Sequence, residues 1–197
     1  KGPLFKKAWA DRYKGIIEYR PKHSTVDVDT ATNTLKFDFN DDVKAQVLNV
    51  IPPQRAGDIA HNAGLTTANR RWCEVDWLTM ESTAAKNIHI LGDALQIAPQ
   101  MPKSGHMANQ HGKVAAAAIV ALLSGRAPND LPIYNNTCYS FVSDTDVVHV
   151  ASVHRYDAEK KTMLPVAGSG GVSAAASELE GRYGLAWARN IWADTLA

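Results

Sequence analysis

The sequence predicts a fold of the α/β plus α+β class, and three observations lead to this prediction. Apolar, strand-like stretches in the first two thirds are followed by one long Ala-rich helix from about Ser104 to Leu123, an order typical of α/β segments. After Pro132, alternating stretches separated by a turn indicate an antiparallel sheet. A Gly-rich link over 168–171 then leads into a final amphipathic helix.

Each element has its own local signal. Apolar residues at helical spacing between Leu4 and Tyr13 predict an opening helix that stops near Gly15. A hairpin and a third strand, which ends at Pro52-Pro53 after passing into a buried sheet, are expected next, and then a short helix with Gly64 as its left-handed cap. The two hairpin strands are expected at 26–28 and 35–39, the third strand at 43–51 and the short helix at 55–63.

The later elements follow from the same reasoning. A second buried strand is expected at 87–91, directly before Gly92-Asp93. The antiparallel strands are expected at 133–142, 147–156 and 162–166. On the last helix one face is shared by Leu179, Tyr183, Trp187 and Ile191.

Composition excludes several classes of protein. A chain of 197 residues with 45% apolar and 21% charged residues can bury a core, which excludes disordered and rod-like proteins. A net charge of +1 gives no electrostatic reason to expect nucleic acid or an anionic membrane as partner. The longest apolar run, Val114 to Leu123, is about half of the roughly 20 residues that cross a bilayer. The N-terminus has neither an apolar signal region nor an initiating Met, so we expect a mature or processed product or part of a longer chain.

Gly92 and Asp93 form the first candidate site. A carboxylate directly after a buried strand lies at the carboxyl edge of an α/β sheet, where ligands bind, and a preceding Gly permits close approach. The alternative is a strand that simply ends in a Gly-Asp turn. The segment Met101–Gly105 favours a site, because backbone N–H groups and the positive end of the following helix dipole converge there. Such a place suits an anion or an electron-rich carbonyl.

This arrangement resembles the second flavin-binding segment of the two-dinucleotide-domain flavoproteins. The resemblance implies that Asp93 binds the ribityl chain of FAD. It also implies that Lys103, Ser104 and Gly105 lie at the pyrimidine edge of the flavin and stabilise its reduced form. Four stretches narrow the resemblance to the C-terminal half of the flavin-binding subunit of flavocytochrome c sulfide dehydrogenase. They are Val50–Ala56, Met101–Gly105, Asn136–Ser140 and Gly168–Ser173.

The narrower resemblance implies a function and a domain plan. Cys138 would pair with a cysteine from the N-terminal half of the same flavoprotein, forming a redox-active disulfide that sulfide opens by thiol exchange. Electrons would pass through FAD to a c-type cytochrome subunit, with one haem or two, in a bacterial periplasm. The haem would belong to that partner, because no Cys-x-x-Cys-His occurs in this chain. The plan is the end of a second dinucleotide-type domain (1–66), the C-terminal segment of the FAD-binding domain (67–125) and a C-terminal interface domain (126–197).

Weaker candidates and rival functions remain open. Trp187 is a candidate for lining the flavin, with core filling as its alternative, and Cys73 is interpreted as a structural or free thiol. His106 and His111 are five residues apart, a spacing that does not favour a metal site. The rivals are a sulfide:quinone oxidoreductase or another disulfide flavoprotein, and a non-catalytic binding or assembly module. Without the N-terminal half, we expect these 197 residues to hold FAD weakly and to oxidise no sulfide.

Overall fold

The computed structural model describes residues 1–196, which form two compact units. One unit comprises Lys7–Gln54, and the other comprises Lys1–Lys6 together with the chain from Arg55 onward. The helices are α1 (Gly2–Arg12), α2 (Asp58–Asn62), α3 (Gly105–Leu123) and α4 (Glu178–Leu196), with a 3-10 turn at Gly92–Ala94. The strands are β1 (Thr25–Asp29), β2 (Thr34–Phe37), β3 (Val43–Lys44), β4 (Ile133–Phe141), β5 (Val147–Asp157), β6 (Thr162–Pro165) and β7 (Gly171–Val172).

The smaller unit contains a three-stranded antiparallel sheet in the order β1-β2-β3. Its hairpin is tightened by Asp29, whose carboxylate accepts hydrogen bonds from the backbone N–H groups of Ala31 and Thr32. The prediction of a long third strand is wrong, because only Val43–Lys44 pairs with β2. Val47 and Ile51 beyond it are each 83% exposed. Apolar alternation predicted a buried strand there, but a strand persists only where a neighbour supplies its hydrogen bonds.

The larger unit is organised by a second antiparallel sheet. It runs β4-β5-β6, and β7 pairs with β5 on the side opposite β4. The register places Tyr134 opposite His154 and Cys138 opposite Val150. The predicted antiparallel sheet is therefore confirmed, and β4 is an edge strand.

Two long helices cover opposite faces of this sheet. Side chains alternate along β4, so Tyr134 and Asn136 lie on one face and Tyr139 lies on the other. The first face meets α3, where Ser104 bonds Asn136. The second meets α4, where a Cβ added at Gly184 would lie 3.2 Å from the ring of Tyr139.

The main core lies between α3, the sheet and the irregular segment 65–101. The Tyr134 hydroxyl, fully buried, donates a 2.8 Å hydrogen bond to the Trp77 carbonyl oxygen and so ties that segment to β4. The side chains of this core include Leu65, Cys73, Val75, Trp77, Met80, Leu95, Met101, Met107, Tyr134 and Met163.

The segment before α3 departs from the predicted α/β pattern. Residues 87–91 do not form the expected buried strand, since His89 makes only an isolated antiparallel bridge to Glu81. Ile88 and Leu91 are 42% and 43% exposed. Among residues 1–196 the only parallel pairing is the bridge between Cys73 and Leu95. The two antiparallel sheets and the helices thus fit the α+β part of the prediction, while the dinucleotide-type portions and the boundaries at 66 and 125 stay predictions.

Two helix ends in the larger unit are capped, and the cap at Gly64 was predicted from the sequence. Gly64 ends α2 at φ +70, and its N–H donates to the His61 carbonyl while the Leu65 N–H reaches back to Ala60. Ser104 caps the N-terminus of α3. No helix in the described part of the chain combines the length and the apolar character that a bilayer crossing requires.

Candidate functional site

A cavity of about 470 Å³ lies at the free edge of β4, within the larger unit. The start of α3 forms one side, and the C-terminal half of α4 forms another. Its volume is in the range of small-molecule and cofactor sites, about 300–1,000 Å³. The lining residues are Ser104, Gly105, His106, Thr137, Cys138, Tyr139, Trp187, Ile191, Trp192, Thr195 and Leu196.

The start of α3 supplies the polar end of the cavity. The side chain of Ser104, in extended backbone at φ −158, accepts a hydrogen bond from Met107 N–H at 3.1 Å. The first two helical N–H groups, those of Gly105 and His106, have no carbonyl within the helix to bond. Open space surrounds the Cα of Gly105. These N–H groups and the helix dipole give this end of the cavity a positive potential.

A short hydrogen-bonded chain connects the α3 start to Cys138. The Ser104 hydroxyl donates to the Asn136 side-chain oxygen at 2.5 Å, and Asn136 is only 2% exposed. The Asn136 amide lies 3.4 Å from the Cys138 sulfur. Lys1 brings a positive charge next to β4. Its Nζ donates to the Cys138 carbonyl at 3.1 Å and to the Ser140 hydroxyl at 2.8 Å. The thiol is therefore oriented from its own strand and from the helix cap.

Aromatic side chains form the apolar wall. The Trp187 ring lies 5.4 Å from His106 and 5.9 Å from Tyr139, measured between ring centroids. His106 Nδ1 accepts a 3.0 Å hydrogen bond from Thr137 N–H. Burial, reinforced by the positive charge of Lys113, lowers the pKa of His106 below its usual value. His106 is therefore a neutral, polar group in an otherwise aromatic wall.

A polar cluster fixes α4, and with it Trp187, against the sheet. Glu180 Oε2 accepts a 2.6 Å hydrogen bond from the Ser173 hydroxyl and lies 3.0 Å from His149 Nδ1. Burial raises the pKa of Glu180, but the hydrogen bonds from Ser173 and His149 outweigh it and leave the pKa below its usual value. His149 also lies beside Tyr139, with ring centroids 6.0 Å apart. The cluster thus helps to hold two residues of the aromatic wall, Tyr139 and Trp187, in position.

Gly92, Asp93 and Lys103 occupy a loop outside this cavity. Lys103 Nζ donates to the carbonyl oxygens of Asp93 at 2.6 Å and Leu95 at 2.5 Å, and lies 3.6 Å from the centre of the Trp72 ring. Burial is the main cause that lowers the pKa of Lys103. The ammonium group therefore holds the loop before α3 closed, while the Asp93 residue is exposed.

The structure shows a packing reason for a glycine at position 92. Its φ is +72, and an added Cβ would lie 3.3 Å from the Cβ of Ala108. Its N–H donates to Nδ1 of His111 at 3.2 Å, and burial lowers the pKa of that histidine to about 4. A larger side chain at position 92 would therefore press against α3, and the predicted role of Gly92 in ligand binding stays a prediction.

Two family models match this chain. One, described as flavocytochrome c sulphide dehydrogenase, flavin-binding, matches residues 130–196. The other, described as sulfide dehydrogenase [flavocytochrome c] flavoprotein chain, central, matches residues 1–52, and the two together cover more than half of the chain. The chain belongs to the flavocytochrome c sulfide dehydrogenase flavoprotein family. This confirms the family predicted from the four sequence stretches.

Membership of this family makes the protein a flavoprotein of an oxidoreductase family, and the family name implies a cytochrome partner. The cavity fits a flavin, because aromatic side chains flank one end and free helix N–H groups form the other. Cys138 and Trp187 lie inside the segment that the flavin-binding model matches, whereas the α3 start lies outside both matched segments. No three His, Cys, Asp or Glu side chains between residues 1 and 196 are grouped so as to hold a metal ion.

Four of the seven residues singled out from the sequence meet at this cavity: Ser104, Gly105, Cys138 and Trp187. Sequence reasoning missed the rest of the lining, above all His106 and Tyr139. A signal existed for His106, which directly follows the Ser-Gly that opens α3. None existed for Tyr139, because a strand residue beside Cys138 has no pattern that reveals which helix covers it.

Proposed function

We propose that this chain is part of an FAD-dependent sulfide dehydrogenase, which oxidises sulfide to sulfur or polysulfide and passes the electrons to a c-type cytochrome. The observation that carries the proposal is the position of Cys138. Cys138 lines a flavin-sized cavity that aromatic residues and the positive end of α3 also line. Sulfur chemistry and a flavin could therefore meet in one place.

The cofactor would be held by the residues that surround the cavity. The N–H groups of Gly105 and His106 and the cap at Ser104 would bind an electron-rich edge of the ring, and Trp187 would pack against it. Lys103 would act indirectly, by holding the loop that leads into α3. Asp93, whose carboxylate is exposed, is our proposed ligand of the ribityl chain of FAD. Bound FAD would supply two-electron chemistry with sulfide and one-electron transfer to a haem.

Cys138 would act as one half of a redox-active disulfide with a cysteine of the N-terminal half of the flavoprotein. Attack by hydrosulfide on this bond breaks it, leaving a persulfide on one cysteine and a thiolate on the other. Within residues 1–196 both cysteines are free, and Cys73 is fully buried. Cys73 is therefore a core residue and not the partner we propose.

The proposal includes two partners and a location. The c-type cytochrome subunit supplies the haem, with one group or two, because this chain has no Cys-x-x-Cys-His. The N-terminal half of the flavoprotein supplies the second cysteine. A bacterial periplasm is the compartment in which such a disulfide can be maintained.

The test compares Cys138→Ala with Cys73→Ala in the purified flavoprotein, with its N-terminal half present, together with its cytochrome. Sulfide-dependent cytochrome reduction should be lost in Cys138→Ala, while its flavin absorbance and its reduction by dithionite are kept. Cys73→Ala should lower thermal stability, because it removes a buried sulfur, and should keep turnover. Sulfide turnover that survives in Cys138→Ala would overturn the proposal. Reduction of a quinone in place of the cytochrome would favour a sulfide:quinone oxidoreductase, and absence of flavin would favour a binding module.

A further inference from the structure

His106 has a fixed orientation at the cavity. It is the second residue of α3, and β4 is an edge strand whose outward backbone groups need partners outside the sheet. The Thr137 N–H finds its partner in His106 Nδ1 at 3.0 Å. The ring is also packed edge-to-face against Trp187, with an interplanar angle of 65°. Two contacts on two different elements therefore hold the imidazole.

The hydrogen bond to Thr137 also decides where the proton of the imidazole lies. Nδ1 accepts from a backbone N–H, so its lone pair is occupied and it cannot carry a proton. A neutral imidazole has one protonated nitrogen, which must then be Nε2. Burial and Lys113 lower the pKa of His106, and they outweigh the opposing effect of the Thr137 backbone, so the neutral form is favoured. The hydrogen bond that the structure shows for this ring is the one at Nδ1, which leaves the Nε2–H to act as a donor on a residue that lines the cavity.

We propose that His106 is a cofactor-binding residue, whose Nε2–H donates a hydrogen bond to an oxygen or nitrogen acceptor on the flavin ring. The inference rests on the proposed function, since it needs the flavin in this cavity. A ring that gains electrons becomes a stronger acceptor, so this donor stabilises the reduced flavin more than the oxidised one. His106 would thereby raise the reduction potential of the flavin.

Two substitutions separate the two ring nitrogens. His106→Asn keeps an acceptor near the position of Nδ1 and can still cap the Thr137 N–H, but its side chain is too short to donate as Nε2 does. His106→Gln places an amide N–H near the position of Nε2 and loses the acceptor for Thr137. The measurements are the midpoint potential of the flavin in the purified holoprotein, the thermal midpoint, and the 15N shifts of the His106 ring in the wild type.

The expected results differ between the variants. His106→Asn should fold with near wild-type stability and lower the ratio of reduced to oxidised flavin at a fixed potential about two- to tenfold, the range of one neutral hydrogen bond. For a two-electron couple this is a fall of about 10–30 mV, since tenfold corresponds to about 30 mV. His106→Gln should keep the potential and lose thermal stability. The 15N shifts should show the proton on Nε2.

Four results would count against the inference. Equal flavin potentials in the wild type and His106→Asn would overturn the inference while leaving the proposed function intact. An equal change of the flavin potential in His106→Asn and His106→Gln would do the same. A proton found on Nδ1 would overturn it without reference to the flavin. A flavin spectrum and potential that are also unchanged by Trp187→Leu would place the flavin elsewhere, and would overturn the proposed cavity together with this inference.

Discussion

Ser104→Ala removes two hydrogen bonds at once from the point where α3, β4 and the cavity meet. Ser104 accepts from Met107 N–H and donates to Asn136. Loss of an N-cap costs about 1 kcal/mol. The Asn136 oxygen, on a residue 2% exposed, loses its short partner at a further cost of about 1 kcal/mol. We expect the free energy of unfolding to fall by about 2 kcal/mol, which lowers the thermal midpoint by about 4–8 °C for a protein of this size.

The assay is urea unfolding followed by tryptophan fluorescence and far-UV circular dichroism. The matched control is Ser124→Ala, which makes the same change at the other end of α3, where the side chain is exposed. That variant should lie within about 0.5 kcal/mol of the wild type. If Ser104→Ala costs no more than Ser124→Ala, Ser104 does not connect the start of α3 to β4.

The remaining predictions concern α4. Glu180→Gln removes the charged partner of His149 and should cost about 1 kcal/mol of stability, allowing for partial exposure. Because the folded-state pKa of Glu180 is below its usual value, this difference should be full above the ordinary Glu pKa of about 4.3 and should disappear as pH falls through the folded pKa. Gly181→Ala should destabilise by more than about 2 kcal/mol, because an added Cβ would overlap the Thr145 carbonyl oxygen. Gly112→Ala, in the open on α3, should stabilise by about 0.5–1 kcal/mol.

Chemical denaturation at several pH values measures all three variants. A Glu180→Gln deficit that grows as the pH is lowered would contradict the assigned direction of the pKa. A Gly181→Ala protein as stable as Gly112→Ala would show that α4 does not lie against the loop after β4.

The larger part of the C-terminal architecture could be predicted from the sequence. Alternation predicted β4, β5 and β6, and Ala content predicted α3, because these elements are determined by local patterns. The extended apolar stretches at 47–51 and 87–91 were predicted as buried strands, and both predictions are wrong. A strand depends on neighbours that lie elsewhere in the chain, so an apolar run alone cannot establish one.

The contact face of α4 shows a second limit of prediction from the sequence. The shared face of Leu179, Tyr183, Trp187 and Ile191 predicted the residues that pack, but Leu179 and Tyr183 are 48% and 55% exposed. The fully buried positions are Gly181 and Gly184, which let the helix backbone come close to the sheet. Hydrophobic periodicity cannot reveal such a contact, because glycine carries no apolar signal.

The sequence by itself determined the family, the helix that begins near Ser104 and the antiparallel strands, and it singled out Cys138 and Trp187 as candidate site residues. Each of these depends on residues close together in the chain or on a recognisable order of short motifs. Only the tertiary structure decided that Cys138 and Trp187 share a cavity with the start of α3, that Lys103 holds a loop, and that the Nε2–H of His106 is left to act as a donor. The shared cavity and the orientation of His106 depend on distances between segments about 30 to 80 residues apart, which packing of α3 and α4 on opposite faces of one edge strand brings together.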